Sequence, residues 1–254
     1  MTSLNSRNST NGSKDTLIII PAYNEERNIG QVLRSLEEID EHTDILVIND
    51  GSRDRTQEIL RQQTHTYLSH PINLGYGAAL QTAYKYASRK GYRYVVQFDA
   101  DGQHHLDDLR KLIEEIRLDT DDVIIGSRVL GDPEYRPGIR KSIAFRWFRT
   151  MIRLFARQRV TDPTSGLKGF SRRAFAFYAD SQDFPSDFPD ADTIIHMILR
   201  GFKIREIPIR SQHREEGTSM HAGMYRQMVY MLKVTLSILA VVLHDRFLER
   251  REQS

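Results

Sequence analysis

Tyr94-Val95-Val96-Gln97-Phe98-Asp99-Ala100-Asp101-Gly102-Gln103 is an apolar, β-branched run that ends in two aspartates. A short run with almost no polar position reads as a strand buried on both faces, as in a parallel sheet. In extended backbone, residues i and i+2 point the same way, so Asp99 and Asp101 converge and offer oxygen to one hard cation, with Gln103 as a third oxygen ligand. The tripeptide alone is weak, since Asp-x-Asp recurs at 119–121 and 190–192. Its place at a strand end singles it out. His104 and His105 follow, but a hard cation prefers oxygen, and they read as surface loop residues.

Outward from this run the same signal repeats. Leu17 to Ile20, Asp44 to Ile48, Thr66 to Leu68 and Val123 to Ile125 read as buried strands, and Arg27 to Ile39, Thr56 to Gln63, Gly77 to Arg89 and Leu106 to Arg117 carry helical spacing. Successive βα units predict an α/β fold: a Rossmann-like, open, mostly parallel sheet flanked by helices, with a nucleotide-type site at the carboxyl ends of the strands. Three more strand ends point there. Pro21-Ala22-Tyr23-Asn24-Glu25-Glu26 follows the first strand, with Pro21 ending the ladder, Asn24 as a helix N-cap, and Tyr23 and Glu25 facing a base and ribose. Asn49-Asp50-Gly51-Ser52 puts Asp50 at the tip of the second strand, and Asn73-Leu74-Gly75-Tyr76-Gly77 lets backbone approach a ligand closely.

The chain has 254 residues, 39% hydrophobic and 28% charged, with net charge +2 and no cysteine. That excludes disulfides and thiolate chemistry, suits a reducing compartment, and gives no global electrostatic case for nucleic-acid binding. Residues 1–15 are polar, lack the apolar core of a signal peptide, and read as a flexible tail. The near-zero net charge hides an asymmetry. Residues 134–173 hold eleven Lys or Arg against two acids, a local +9, which leaves the remainder acidic. Within a predicted helix at 136–160, Arg146, Arg149, Arg153 and Arg157 share a face, and Trp147, Phe148, Met151, Ile152, Leu154 and Phe155 are assigned the opposite one, as in a helix lying on an anionic membrane surface. The segment 223–254 reads as a membrane-associating or domain-closing helix. Its uncharged run, Val234 to Leu243, is too short to span a bilayer.

In combination, Pro-Ala-Tyr-Asn-Glu-Glu (21–26), Asn-Asp-Gly-Ser-x-Asp-x-Thr (49–56), Asn-Leu-Gly-x-Gly (73–77) and Asp-Ala-Asp-Gly-Gln-His (99–104) resemble the inverting GT-A glycosyltransferases of family 2, in their dolichol-phosphate mannosyltransferase-like branch. The resemblance runs from about Thr16 to Tyr230 and extends to Gly126-Ser127-Arg128, to Asp162-Pro163-Thr164-Ser165-Gly166-Leu167-Lys168-Gly169-Phe170, to Asp190-Ala191-Asp192 and to Arg214-Glu215-Glu216-Gly217-Thr218-Ser219. It implies a GT-A domain over 16–222. Pro21, Ala22, Tyr23, Glu25, Ile48, Asp50, Asp99 and Ala100 would bind the donor nucleotide, and Asp99, Asp101 and Gln103 would hold Mg2+ or Mn2+. Arg128, Arg214 and Ser165 would bind the acceptor phosphate. Two departures stand out: Met220 occupies a position where the branch usually has lysine, and the chain stops after one apolar segment where many relatives continue into membrane helices.

The implied reaction moves a sugar from a nucleotide-diphosphate donor to a polyprenyl phosphate at the cytoplasmic membrane face, by a peripheral enzyme with a possible small integral membrane partner or a second copy of itself. Asp101 and Arg128 would serve the displacement. Asp192, or Asp190, at the start of a late helix would act as base for a hydroxyl acceptor. The competing readings are transfer to a sugar hydroxyl in surface-polysaccharide assembly, and a catalytically silent nucleotide-sugar-binding subunit.

Overall fold

The computed structural model describes residues 14–100, 104–132, 135, 138–182, 184–210 and 224–252; side chains at 139–141, 224–227 and 246–252 are not described. The strands are β1 (Thr16–Ala22), β2 (Thr43–Asn49), β3 (Thr66–Ser69), β4 (Tyr94–Gln97), β5 (Val123–Ser127), β6 (Lys168–Ser171) and β7 (Ile204–Pro208). The helices are α1 (Ile29–Leu36), α2 (Thr56–Arg61), α3 (Tyr76–Lys90), α4 (Leu106–Arg117), α5 (Arg128–Gly131), α6 (Ile139–Phe155), α7 (Arg172–Ala179), α8 (Ala191–Leu199) and α9 (Met224–Glu252).

All seven strands form one sheet in the order β3-β2-β1-β4-β6-β5-β7. The expected runs are strands, and β1 is buried along its whole length. Ile18 lies between Ile45 of β2 and Val96 of β4, so the centre of the sheet is a continuous β-branched layer. After β1 the chain winds outward through β2 and β3, then crosses back to lay β4 on the other side of β1. That reversal opens a crevice at the carboxyl ends of β1 and β4.

Two short strands and two short helices, α5 and α7, escape the sequence reading. β6 is antiparallel to both β4 and β5 and is inserted between them, β7 runs parallel to β5, and α7 follows β6 directly. β6 is four residues, Lys-Gly-Phe-Ser, with no alternation to reveal it. Its neighbours on both sides impose the extended form.

Apolar layers cover both faces. Ile29, Val32, Leu33 and Leu36 of α1, at helical spacing, join Leu60 of α2 and Leu109, Leu112, Ile113 and Ile116 of α4 on one face. On the other, α3, α6, α7, α8 and α9 pack over Leu17, Ile19, Val95 and Ile125.

The basic helix is shorter than expected, ending at Phe155, and Arg157 lies beyond it in left-handed backbone (φ 54°). Its faces are also divided differently. Ala144, Phe145, Phe148 and Ile152 form the buried stripe, whereas Trp147, Leu154 and Ile143 are exposed beside Arg146 and Arg153. The stripe that faces the core is fixed by the 3.6-residue turn, so Trp147, one step before Phe148, is rotated outward with the arginines. α9 is 29 residues and about 43 Å long. Its stretch Met228–Asp245 has the length and composition of a membrane span, but 28% of it is buried. Tyr230, Val234, Ile238 and Val242 face the core, while Met228, Leu232, Leu236, Leu239 and Leu243 face outward. The indole of Trp147 donates to Thr235 Oγ1 (3.0 Å), tying α6 to α9.

Candidate active site

The first two strand-end loops are locked together. Asn24 is not an N-cap; Asn28 holds that place. Asn24 instead adopts left-handed backbone (φ 56°), donates its amide to Ser52 Oγ and accepts from the Arg53 amide, while the Glu25 amide donates to Thr56 Oγ1. Pro21, Ala22 and Ile48 are buried at the ends of β1 and β2, and Tyr23 is 42% exposed at the opening. Glu25 Oε2 accepts from Asn28 Nδ2 (2.8 Å), so this carboxylate braces its own turn.

Asp50 is buried, and its oxygens accept from the Leu74 and Gly75 amides (both 2.9 Å) and pair with His70 Nδ1 (2.7 Å). The carboxylate expected to meet the donor therefore clamps the third loop. Gly75 needs φ 103°, and a Cβ at Gly77 would stand 1.9 Å from the Pro185 carbonyl oxygen, so both glycines are required for this close fit.

Asp99 lies just past β4. Its Oδ1 accepts from the Tyr76 hydroxyl (2.8 Å), which in turn accepts from Gln97 Nε2 (2.6 Å). Burial raises the Asp99 carboxyl above the usual range, and Tyr76, Lys168 and Arg128 oppose the rise. On its other side the chain passes so near that a Cβ on Gly166 would sit 1.6 Å from Asp99 Oδ2. A strand-end carboxylate braced on one oxygen suits a hard oxygen-loving cation. Among the described residues no cluster of three His, Cys, Asp or Glu forms a complete metal site, and Asp101, Gln103 and Arg214 lie outside them. Tyr76 and Lys168 are members of this crevice that sequence reasoning missed. For Tyr76 the signal was present, an aromatic between two glycines at a strand end.

Three expected contacts are taken up inside the protein. Arg128 forms a bidentate pair with Asp162 (Nε 2.7 Å, Nη2 2.8 Å), its amide also donating to Asp162 Oδ2. Burial works against the Arg128 charge, but the carboxylate outweighs it and raises the guanidinium's affinity for its proton. The Nε and Nη2 edge of the planar fork is thus paired with Asp162. Ser165 is buried, and its hydroxyl bonds the backbone of Leu167. Asp192 is 1% exposed; its Oδ1 accepts from the Asp190 and Thr193 amides and its Oδ2 from Ser237 of α9. Burial raises its carboxyl to about 6. Asp192 is therefore a latch between α8 and α9. Asp190 is the member of the pair whose charge reaches Asp99 and Tyr76, and its Oδ2 accepts from Tyr230 (2.6 Å).

A sheet with a reversal at β1 and β4, a carboxylate at the β4 tip and glycine-shaped loops around it define an α/β enzyme that handles a nucleotide-linked ligand at strand ends. The chain belongs to glycosyl transferase family 2, whose family model matches residues 17–178. It is a glycosyltransferase with a GT-A-like fold. An uncharacterised protein of Methanocaldococcus jannaschii is 32% identical over 83% of this chain and 89% of its own length. The UDP-N-acetylglucosamine–dolichyl-phosphate N-acetylglucosaminyltransferase of Methanococcus voltae is 28% identical over 81% of this chain and 90% of its own, and the polyprenol monophosphomannose synthase of Mycolicibacterium smegmatis is 28% identical over 82% and 81%. Among solved structures, glucosyl-3-phosphoglycerate synthase of Mycobacterium tuberculosis, in complex with Mn2+, UDP-glucose and phosphoglyceric acid, matches with TM-score 0.63 at 18% identity, over 90% of this chain and 80% of that one.

Proposed function

We propose that this glycosyltransferase moves a sugar from a nucleotide-diphosphate donor to a polyprenyl phosphate by a single, inverting displacement at a membrane surface. The bond from the anomeric carbon to the donor's diphosphate breaks, and a bond to the acceptor's phosphate oxygen forms on the opposite face. Asp99, with Asp101 and Gln103 beside it in sequence, would hold Mg2+ or Mn2+, which when bound supplies charge stabilisation to the departing diphosphate. Tyr76 orients the Asp99 carboxylate, and Gly166 leaves the room it needs. A phosphate monoester has a second pKa near 6 and is anionic at neutral pH, so it attacks without a base. A hydroxyl acceptor would need one, and Asp190, whose charge is felt at Asp99, fits that task better than the buried Asp192. Tyr23, exposed at the opening, is placed to stack on the donor's base.

The observation that carries the lipid acceptor is the exposed apolar residues of α6 and α9, two helices joined by Trp147. Ile143, Trp147 and Leu154 of α6 and Met228, Leu232, Leu236, Leu239 and Leu243 of α9 are all exposed, as are the cations Arg146, Arg153 and Lys233, and the Trp147–Thr235 hydrogen bond joins the two helices. An exposed apolar stripe edged by cations suits the headgroup boundary of an anionic bilayer. The dolichyl- and undecaprenyl-phosphate activities named for several relatives agree with it.

The test is incubation with Mn2+, farnesyl phosphate and labelled UDP- and GDP-sugars. Organic-soluble label is expected with one donor, and none with any donor would refute the reading. For the membrane face, Leu236→Glu is expected to abolish co-flotation with vesicles containing phosphatidylglycerol while the fold is retained. Undiminished flotation would count against docking through α9.

A further inference from the structure

Lys168 opens β6, is 5% exposed, and among the described residues its ammonium has no hydrogen bond or ion pair. Its partner across the antiparallel ladder is Gln97 of β4. Directly opposed residues of an antiparallel pair send their side chains to the same face. On that face Gln97 donates to the Tyr76 hydroxyl and Tyr76 donates to Asp99. The lysine's charge is felt at Asp99, where it favours the ionised carboxylate. The segment that leads into Lys168 touches Asp99 through Gly166, so the Asp99 carboxylate and the start of β6 form one wall of the crevice.

Covering most of a lysine side chain is costly unless its ammonium finds an anion, and the Lys168 ammonium is not fully enclosed and comes to the crevice near the Asp99 carboxylate. A methionine would fill the same space without that cost, so packing gives no reason for a charge here. The nearby Arg128 is already neutralised by Asp162. Lys168 is thus the cation near Asp99 that, among the described residues, has no hydrogen bond or ion pair.

We propose that Lys168 binds a phosphate oxygen of the reacting pair. The proposal rests on the reading of this crevice as a sugar-transfer site, and it adds Lys168 to the residues there that would meet a phosphate. The shared chemistry is a phosphate oxyanion, which either the donor's diphosphate or the acceptor's monoester provides.

The experiment titrates the wild-type protein and Lys168→Met by calorimetry with UDP and GDP in Mn2+, with farnesyl phosphate, and with inorganic pyrophosphate. The variant is expected to melt no lower than the wild type and to bind at least one of these about tenfold more weakly, the loss of one charge-assisted hydrogen bond. Weakening confined to UDP or GDP assigns Lys168 to the donor, and weakening confined to farnesyl phosphate assigns it to the acceptor. Lys168→Arg is expected to restore most of the affinity. Binding of every probe unchanged to within about threefold overturns the proposal. If Lys168→Met does not fold, Lys168→Gln is read in its place, and failure of both to fold overturns the proposal by showing a structural ammonium. If the wild type transfers no sugar to farnesyl phosphate, the proposed function fails, while the pyrophosphate titration still reads Lys168 by itself.

Discussion

Replacing Asp192 by asparagine tests whether this carboxylate is a latch or a catalyst. Asparagine keeps an Oδ1 for the Asp190 and Thr193 amides and turns its amide toward Ser237, so the α8–α9 connection survives while the charge goes. Burial raises the folded carboxyl from 3.8 to about 6. Between those values the folded protein holds a proton that the unfolded chain releases. The stabilisation this gives is complete below pH 3.8 and is lost as pH rises through about 6. About two units correspond to about 3 kcal/mol. Relative to the wild type, Asp192→Asn should therefore gain about 3 kcal/mol between pH 4 and pH 7, or roughly 6–12 °C in Tm. Urea denaturation of both proteins at half-unit pH steps, read as the difference between the two curves, cancels the other titrating groups. Parallel curves would refute the buried latch. So would a loss of turnover of about a hundredfold or more in a folded variant, since that would place Asp192 at the reacting atoms.

Asp162→Asn should destabilise the protein by about 3–5 kcal/mol in urea denaturation, because Arg128 would keep its charge in the interior with no carboxylate to match it. Replacing Arg128 and Asp162 together by Met and Leu should recover most of that loss. Gly166→Ala should leave the far-UV circular dichroism intact and lower kcat/KM at least about tenfold, since the new methyl displaces the Asp99 carboxylate. Gly91→Ala is the matched control: Gly91 has φ 84° and open space around it, so it should cost about 1 kcal/mol with no change in turnover.

The alternation of buried runs and helical periods is a local property, and it located β1 to β5 and α1 to α4 because nearly all of those segments bury a face that their own spacing announces; β3, expected to be buried, lies at the sheet edge with its residues exposed or half-buried. Asp99 was legible for the same reason: a carboxylate directly after an apolar strand sits at the strand's carboxyl end in any doubly wound sheet. β6 was not legible. Four residues without alternation become a strand only because β4 and β5 offer unpaired edges on either side. The outer face of α6 was misread because an arginine series at spacings of three and four looks like a complete face, whereas the core selects the stripe at 144, 145, 148 and 152.

By itself, then, the sequence determined the fold class, the strand-end crevice and the residue types around it, since these follow from periodicity over a few residues. Only the tertiary structure decided which of those residues are paired within the fold. Arg128 meets Asp162, 34 residues away, and Asp192 meets Ser237, 45 away, while Lys168 comes near Asp99 with no hydrogen bond or ion pair among the described residues. A charged side chain in the interior is silenced or left available by what packs against it from distant parts of the chain, and local spacing carries no record of that.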